Sequence, residues 1–200
     1  MRPLKSTPEF AVPQPLKAQP FRAPPELSEP SRLLDASTVA GLAAAMPLRH
    51  RASPWRLVYA TWRDGISLAT MLRHAAGKAP TLLAVRDGAR GVFGAFCSEA
   101  WRASPRYYGT GETFVFTTSP PGPPRRWPWW VERQAVERND FFMWSATDTI
   151  AVGGAGGYAI SLDEELEKGV SRVSRTFGNE PLSAQGEEFT VGAVELWWIS

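Results

Sequence analysis

Few side chains in this chain of 200 residues have the chemistry of a nucleophile or of a general acid or base. Cys97 is the single cysteine, and His50 and His74 are the two histidines. A redox-active thiol needs exposure and cationic neighbours that lower its pKa, and nucleophilic catalysis needs a histidine within hydrogen-bonding reach. Cys97 follows an apolar run, and free cysteines are mostly buried. The sequence therefore favours a core cysteine, with thiol-based antioxidant chemistry at Cys97 as the alternative.

The same residues limit the cofactors that the chain can hold. A single cysteine excludes an internal disulfide bond, and two histidines are too few for the usual zinc ligand sets. The glycines at 153–157 are followed by an apparent strand and not by the Lys-Ser/Thr and helix of a phosphate-binding loop. We expect no cofactor, no metal and no enzymatic activity.

The segment from Tyr107 to Phe116 couples a glycine turn to an alternating strand. Gly109 and Gly111 allow positive φ angles beside two tyrosines, and Glu112 then stands at the mouth of the strand. A carboxylate in that position either braces the amides of the loop or meets a basic partner. The run also lacks the last glycine of the dinucleotide fingerprint, so we expect a shaped turn and not a nucleotide site.

Aromatic residues are concentrated in a proline-bounded stretch at residues 120–130, which contains Trp127, Trp129 and Trp130 beside two arginines. Proline lacks the donor that a sheet interior needs, so this stretch is predicted to be a surface loop. The tryptophans there would stack on sugars, anchor a partner protein or cover the edge of the sheet.

Composition places the chain among soluble single-domain proteins with a tail. Hydrophobic residues make up 44% and charged residues 21%. The first thirty residues contain eight prolines, a composition that buries too little apolar surface to order itself. We expect a disordered tail at 1–30 and one domain at 31–200. No apolar run approaches the length of a membrane-spanning helix, and the first thirty residues lack the apolar core of a signal peptide. The expected location is therefore the cytosol.

Charge is unevenly distributed along the chain. Residues 49–106 contain ten Lys/Arg and three Asp/Glu, a net charge of +7, whereas residues 163–200 contain three and eight, a net charge of −5. The arginines are scattered singly through apparent strands, which does not favour a nucleic-acid surface. The asymmetry instead suggests electrostatic steering toward a protein partner.

Periodicity predicts short strands and few helices. Asp35 or Ser37 caps a first helix and Ser67 a second one. Many short strands separated by turns favour an α+β, mostly β fold: a two-sheet antiparallel β-sandwich flanked by a few short helices. The predicted strands lie at 55–60, 81–85, 92–97, 113–118, 141–144, 149–152, 158–162 and 189–198.

Several short motifs follow one another along the chain. They begin with Asp64-Gly65 before a helix, continue with Phe93-Gly94 and the glycine turn ending in Glu112, and close with Glu195 in the last strand. In this order the motifs resemble the TLDc domain of the eukaryotic oxidation-resistance proteins. The resemblance covers residues 31–200. Ser174 stands where a cysteine is expected, Trp198 replaces a usual glycine, and the stretch at 120–130 is enlarged.

The resemblance implies protection against oxidative stress and binding to the vacuolar-type proton-pumping ATPase, whose assembly some members regulate. The expected partner is the cytosolic sector of that ATPase, with recruitment to the surface of acidic organelles. No catalytic residue comes with it. The residues carried over as partner-binding or loop-shaping are Asp64, Gly65, Gly94, Gly109, Gly111, Glu112 and Glu195.

Overall fold

The fold is described from a computed structural model, in which residues 14–15, 24–118, 124–129 and 138–200 are placed. The helices are α1 (Ala36–Ala45), α2 (Thr61–Asp64) and α3 (Leu68–Ala75), and a 3₁₀ turn spans Leu48–His50. The strands are β1 (Gln14–Pro15), β2 (Trp55–Ala60), β3 (Thr81–Asp87), β4 (Val92–Cys97), β5 (Phe114–Thr117), β6 (Arg125–Pro128), β7 (Met143–Ser145), β8 (Thr149–Val152), β9 (Ile160–Asp163), β10 (Lys168–Val170) and β11 (Glu188–Ile199).

In the described part of the chain, eleven strands form one antiparallel hydrogen-bonded sheet. The strand order is β1-β6-β5-β4-β3-β11-β10-β9-β8-β7, and β2 pairs with β11. The mostly β class with a large antiparallel sheet and a few helices is therefore as the sequence predicts. Separate sandwich sheets are not confirmed, because the twelve-residue β11 pairs with β10 near its start and with β3 and β2 farther along.

Alternation along β3 explains how the central strands are buried on both faces. Leu83 and Val85 belong to a cluster that also contains Ile150 and Leu162 from the far half of the sheet. Leu82 and Ala84 belong to a second cluster, which includes the apolar side of α1. Successive side chains of a strand point to opposite faces, so a continuous apolar run is what two-sided burial requires.

Local sequence signals define the helices. The Asp35 carboxylate accepts a hydrogen bond from the Thr38 N–H at 2.7 Å and caps α1. That hydrogen bond also lowers the pKa of Asp35. Ser67 caps α3 in the same way through the Thr70 N–H, at 3.3 Å. Both predicted helices are confirmed, because each cap lies directly before an apolar stripe.

The segment at 24–30 lies against the sheet. Leu27 forms a bridge with Trp55, the Ser28 N–H donates to the Trp55 carbonyl at 2.9 Å, and the Ser28 hydroxyl accepts from the Leu57 N–H. The fold thus begins before residue 31, where the sequence analysis placed the domain start. The predictions for residues 1–13 and 16–23 lie outside the described residues.

The stretch at 120–130 differs from its prediction. Arg125–Pro128 is strand β6, which pairs with β5 on one side and with β1 on the other. The surface-loop prediction is wrong for these four residues, because Pro128 is the last residue of the strand and the preceding donors are intact. Residues 120–123 and 130 of the predicted loop lie outside the described residues. None of the described helices is long and apolar enough to cross a membrane.

Candidate functional site

The 109–112 loop is tied to the 3₁₀ turn through an ion pair. The Glu112 carboxylate accepts a hydrogen bond from Arg49 Nη1 at 2.6 Å, and Arg49 Nη2 donates to its second oxygen. Two parallel bonds from a guanidinium fix orientation as well as distance. Glu112 therefore braces a neighbouring segment, and both charged groups remain at the surface.

The ion pair affects the protonation of the groups at this site. The hydrogen bond from Arg49 lowers the pKa of Glu112, and the same bond raises the pKa of Arg49. Partial burial, together with the nearby Arg49 charge, lowers the pKa of His50. At neutral pH the site thus presents a paired arginine and glutamate beside an uncharged imidazole.

An exposed leucine precedes the ion pair. Leu48 is 81% exposed, although the adjacent Arg49 is tied to Glu112 and the Arg51 Nε donates to the Met46 carbonyl at 3.0 Å. The turn therefore presents an apolar side chain on a braced backbone. We call Leu48, Arg49 and Glu112 the Leu48 surface.

The two loop glycines are required by packing. Gly111 lies under the indole of Trp129, where an added Cβ would be 2.5 Å from a ring carbon. Gly109 has a φ of +103°, and a Cβ there would lie 3.1 Å from that of Phe142. Trp129 is held in turn by its Nε1 donor to the Asn139 carbonyl at 3.0 Å. These glycines shape the loop that carries Glu112.

Gly94 belongs to the interior of the sheet. It pairs with Ala84 across β3 and β4, and a Cβ at this position would be 1.9 Å from the Leu83 carbonyl oxygen. Because the clashing atom belongs to the backbone, rotation of a side chain cannot relieve the clash. Gly94 is therefore a folding residue that lies away from any surface loop.

Asp64 and Gly65 form a second, separate turn. The Asp64 carboxylate accepts from the Ala60 N–H at 2.9 Å and pairs with Arg63 at 3.0 Å. Gly65 has a φ of +85°, and its carbonyl accepts the hydroxyl proton of Tyr59. Among the described residues, no hydrogen bond or ion pair connects this turn to the Leu48 surface.

Glu195 is fully buried in β11. Its carboxylate accepts hydrogen bonds from the Ser31 hydroxyl at 2.6 Å, from the Arg32 N–H at 2.7 Å and from Trp197 Nε1 at 3.0 Å. A buried carboxylate is tolerated when donors surround it. Glu195 therefore shapes the fold by holding residues 31–32 on the sheet, and in this conformation it is inaccessible to a partner.

The thiol alternative is contradicted by the position of Cys97. Its side chain is fully buried in β4, and its sulfur lies 3.9 Å from the Ala95 carbonyl. Burial raises the pKa of the thiol, which removes the thiolate that oxidants attack. The core position that the sequence favours is confirmed.

Among the described tryptophans of the 120–130 stretch, Trp127 offers no exposed ring for the sugar-binding alternative. Trp127 is buried within β6, Trp129 is half-buried over Gly111, and Trp130 lies outside the described residues. Sugar stacking needs a free ring face, which Trp127 does not offer. The described stretch is part of the sheet and covers the glycine loop.

Both histidines lie against other groups of the fold. His74 Nδ1 lies 3.1 Å from the Val58 carbonyl, and His50 contacts the ring of Phe96. No group of three or more His, Cys, Asp or Glu side chains within the described ranges is arranged to hold a metal ion.

Sequence reasoning missed the residues that hold these sites in place. Arg49, Ser31 and Trp129 are the partners of Glu112, Glu195 and Gly111, and each lies far from its partner in sequence. The short helix α2 and the strand β10 were also missed. Arg49 had a signal as one of the single arginines in the basic segment, and Trp129 had one as part of the aromatic stretch, but the sequence did not indicate which residues they contact.

Comparisons with known proteins agree with the order of the motifs. A family model described as the TLDc domain matches residues 27–200. Oxidation resistance protein 1 of Rattus norvegicus and of Homo sapiens is 39% identical over 184 residues, which is 91% of this chain and 21% and 20% of those proteins. Nuclear receptor coactivator 7 of Gallus gallus is 36% identical over 175 residues, 86% of this chain and 18% of that protein. The chain thus spans about a fifth of the length of these relatives.

Proposed function

Because this chain belongs to the TLDc domain family, we propose that it is a non-enzymatic binding protein that protects against oxidative stress. It does so by engaging the cytosolic sector of the vacuolar-type proton-pumping ATPase and regulating the assembly of that pump. The protective role is supported by the 39% identity to oxidation resistance protein 1 over 91% of the chain. Its place of action is the cytosolic surface of acidic organelles.

The observation that carries a binding role is the Leu48 surface. An apolar side chain that is 81% exposed stands beside a charged pair that is also at the surface. Apolar anchors within a polar rim are typical of protein interfaces, and a braced turn loses little conformational entropy on binding. The net charge of +7 over residues 49–106 supports steering toward an acidic partner.

Direct chemistry on oxidants is not part of this proposal. Cys97, the single thiol of the chain, is buried and its pKa is raised. Protection then has to act through another protein, which suits a domain whose motif residues shape loops.

The first experiment mixes the purified full chain with the detached cytosolic sector of the ATPase and, separately, with the assembled pump. Co-elution and ATP hydrolysis are measured together. The proposal expects stoichiometric binding that changes hydrolysis or releases the sector. Absence of co-elution with both forms of the ATPase would overturn it.

Variants localise the contact. Leu48→Asp is expected to weaken binding at least about tenfold, because it places a charge at an apolar anchor. Tyr158→Ser, at another exposed apolar position, serves as the matched control and should bind like wild type.

A charge swap separates bracing from direct contact at the ion pair. Glu112→Arg alone breaks the pair, whereas Arg49→Glu combined with Glu112→Arg restores the pair with opposite polarity. If the pair only braces the loop, the double variant regains binding. If the partner reads the charges, the double variant stays weak although it folds like wild type.

A further inference from the structure

A second surface with an exposed apolar residue surrounds Ile66, on the turn between α2 and α3. Ile66 is 54% exposed, and its neighbours are tightly held. The Tyr59 hydroxyl donates to the Gly65 carbonyl and accepts from the Ser67 N–H at 3.2 Å. Hydrogen bonds to the buried Tyr59 thus hold the residues on both sides of Ile66, and Ile66 itself lines two cavities. A single exposed apolar residue is common in proteins, so the cavities on its two sides are the distinguishing feature.

The first cavity beside Ile66 is basic. It has a volume of about 260 Å³ and is lined by Arg32, Trp62, Ile66 and Arg86, with Gly192 and Ala193 of β11. β11 carries a bulge here, since the register with β3 shifts between Val191 and Ala193. No acidic residue lines this cavity.

The two arginines of this cavity have no ion-pair partner within the described ranges. Arg63, next to Trp62 in the sequence, differs from them because it pairs with Glu29 at 2.8 Å and with Asp64 at 3.0 Å. The Arg32 guanidinium lies 3.8 Å from the centre of the Trp62 ring, so cation–π stacking positions it. Two arginines without paired carboxylates, one of them held on an indole ring, favour an acidic ligand.

The second cavity beside Ile66 is acidic. It has a volume of about 300 Å³ and is lined by Ile66, Ser67, Ala69, Thr147, Glu164 and Glu165. The Glu164 carbonyl accepts the Leu68 N–H at 2.9 Å, which fixes this acidic turn to α3. Neither glutamate side chain pairs with a cation in the described part of the chain. Ile66 lines both cavities, so charge changes sign across it.

We propose that this surface, formed by Arg32, Arg86, Ile66, Glu164 and Glu165, is a docking site for a segment of a partner protein whose charge changes sign around one apolar residue. Acidic residues of the segment lie toward the two arginines. Its apolar residue covers Ile66 and Trp62, and its basic residues lie toward the two glutamates. Charge complementarity on both sides of one apolar contact favours such a segment, whether or not the ATPase is the partner of this protein.

The charge polarity excludes simpler partners. A uniformly acidic segment would place carboxylates against Glu164 and Glu165, and a uniformly basic one would oppose Arg32 and Arg86. Like charges at close range are unfavourable and discriminate between partners. The surface therefore selects for the order of charges and not only for their sum.

The test uses the full chain and a synthetic probe. The probe peptide contains two glutamates, one leucine and two lysines in that order, and the control peptide has the same residues with alternating charges. Amide NMR shifts of Ile66 and of Trp62 report binding at this surface. We expect the ordered peptide to bind at least about tenfold more tightly than the control and to weaken with added salt.

Two variants address the charges. Arg32→Glu with Arg86→Glu should lose the ordered peptide, while Arg73→Glu, an exposed arginine of α3 outside both cavities, should keep it. Glu164→Arg with Glu165→Arg should gain affinity for a peptide whose lysines are replaced by glutamates, a gain that misfolding cannot produce.

Three outcomes would contradict the proposed docking site. Equal binding of the ordered and alternating peptides, or no shift of Ile66 and Trp62 at millimolar peptide, would overturn the proposal. A lower sedimentation coefficient for the Arg32→Glu, Arg86→Glu variant than for wild type and for Arg73→Glu would identify a second copy of this chain as the occupant. That result would also overturn the proposal.

Discussion

Glu112 and Glu195 are both glutamates of the family motifs, yet their surroundings differ completely. Glu112 lies at the surface and pairs with one arginine, whose own side chain is more exposed still. Glu195 is buried and accepts three hydrogen bonds, from the Ser31 hydroxyl, the Arg32 N–H and the Trp197 indole N–H. The difference teaches that the motif residues divide into those that are buried in the fold and those that lie at the surface, and that residue type does not reveal which is which.

Removal of the buried carboxylate is the largest change that we predict. Glu195→Ala leaves the Ser31 hydroxyl, the Arg32 N–H and the Trp197 indole N–H without their acceptor. The free energy of unfolding should fall by about 3 kcal/mol, as measured by urea denaturation. Glu195→Gln keeps a carbonyl acceptor and should lose clearly less. Equal losses in the two variants would show that the carboxylate charge itself is needed.

The glycine under Trp129 gives an intermediate effect. Gly111→Ala places a Cβ 2.5 Å from the indole of Trp129, so the ring must move and its contact with Phe142 is disturbed. We expect a loss of about 2 kcal/mol in unfolding free energy. The double variant with Trp129→Ala is the control: relief of the clash should make the two substitutions less than additive. Strict additivity would place the two groups apart.

Neutralisation of Glu112 should have the smallest effect on stability. An exposed ion pair contributes little, so the urea midpoint of Glu112→Gln should lie close to that of wild type at pH 7. Any loss much larger than that of Glu195→Gln would reverse our comparison of the two glutamates.

The pH dependence of that small difference has a definite sign. The pKa of Glu112 is lowered from 4.5 by its hydrogen bond with Arg49, so the folded state favours the carboxylate. Its contribution is complete above pH 4.5 and is lost as the pH falls through the lowered pKa. The difference between wild type and Glu112→Gln should therefore shrink on acidification below that pH. Growth of the difference in acid would contradict the ion pair.

Much of the fold follows from local patterns. The bounds of β2 and β4 are as predicted, because alternation or a continuous apolar run ends at polar or glycine-containing turns. The caps of α1 and α3 are read directly from Asp35 and Ser67. Strand β6 was missed because proline content counted against it, although Pro128 occupies only its last position. Strand β11 joins the two halves of the sheet by pairing with β10 and with β3. The pairing with β3 connects residues about a hundred positions apart, so a short stretch of sequence cannot predict it.

The candidate site was only half predictable. The glycines and glutamates were identified by type and order, but two of the seven positions do not lie in a surface loop. Gly94 lies inside the sheet and Glu195 is buried in β11, whereas Gly111 shapes the loop that carries Glu112. The sequence analysis did not predict the Leu48 surface or the docking surface around Ile66, since no sequence pattern indicates that an apolar residue in a turn is exposed.

By itself the sequence determined the family, the mostly β composition, the helix caps and the burial of its single thiol, because each depends on neighbouring residues or on motif order. Only the tertiary structure decided which glutamate is exposed. Glu112 meets Arg49 across 63 positions, and Glu195 meets Ser31 across 164. Burial and hydrogen bonding are set by groups that the fold brings together from distant parts of the chain, so the role of each carboxylate is a property of the packed structure.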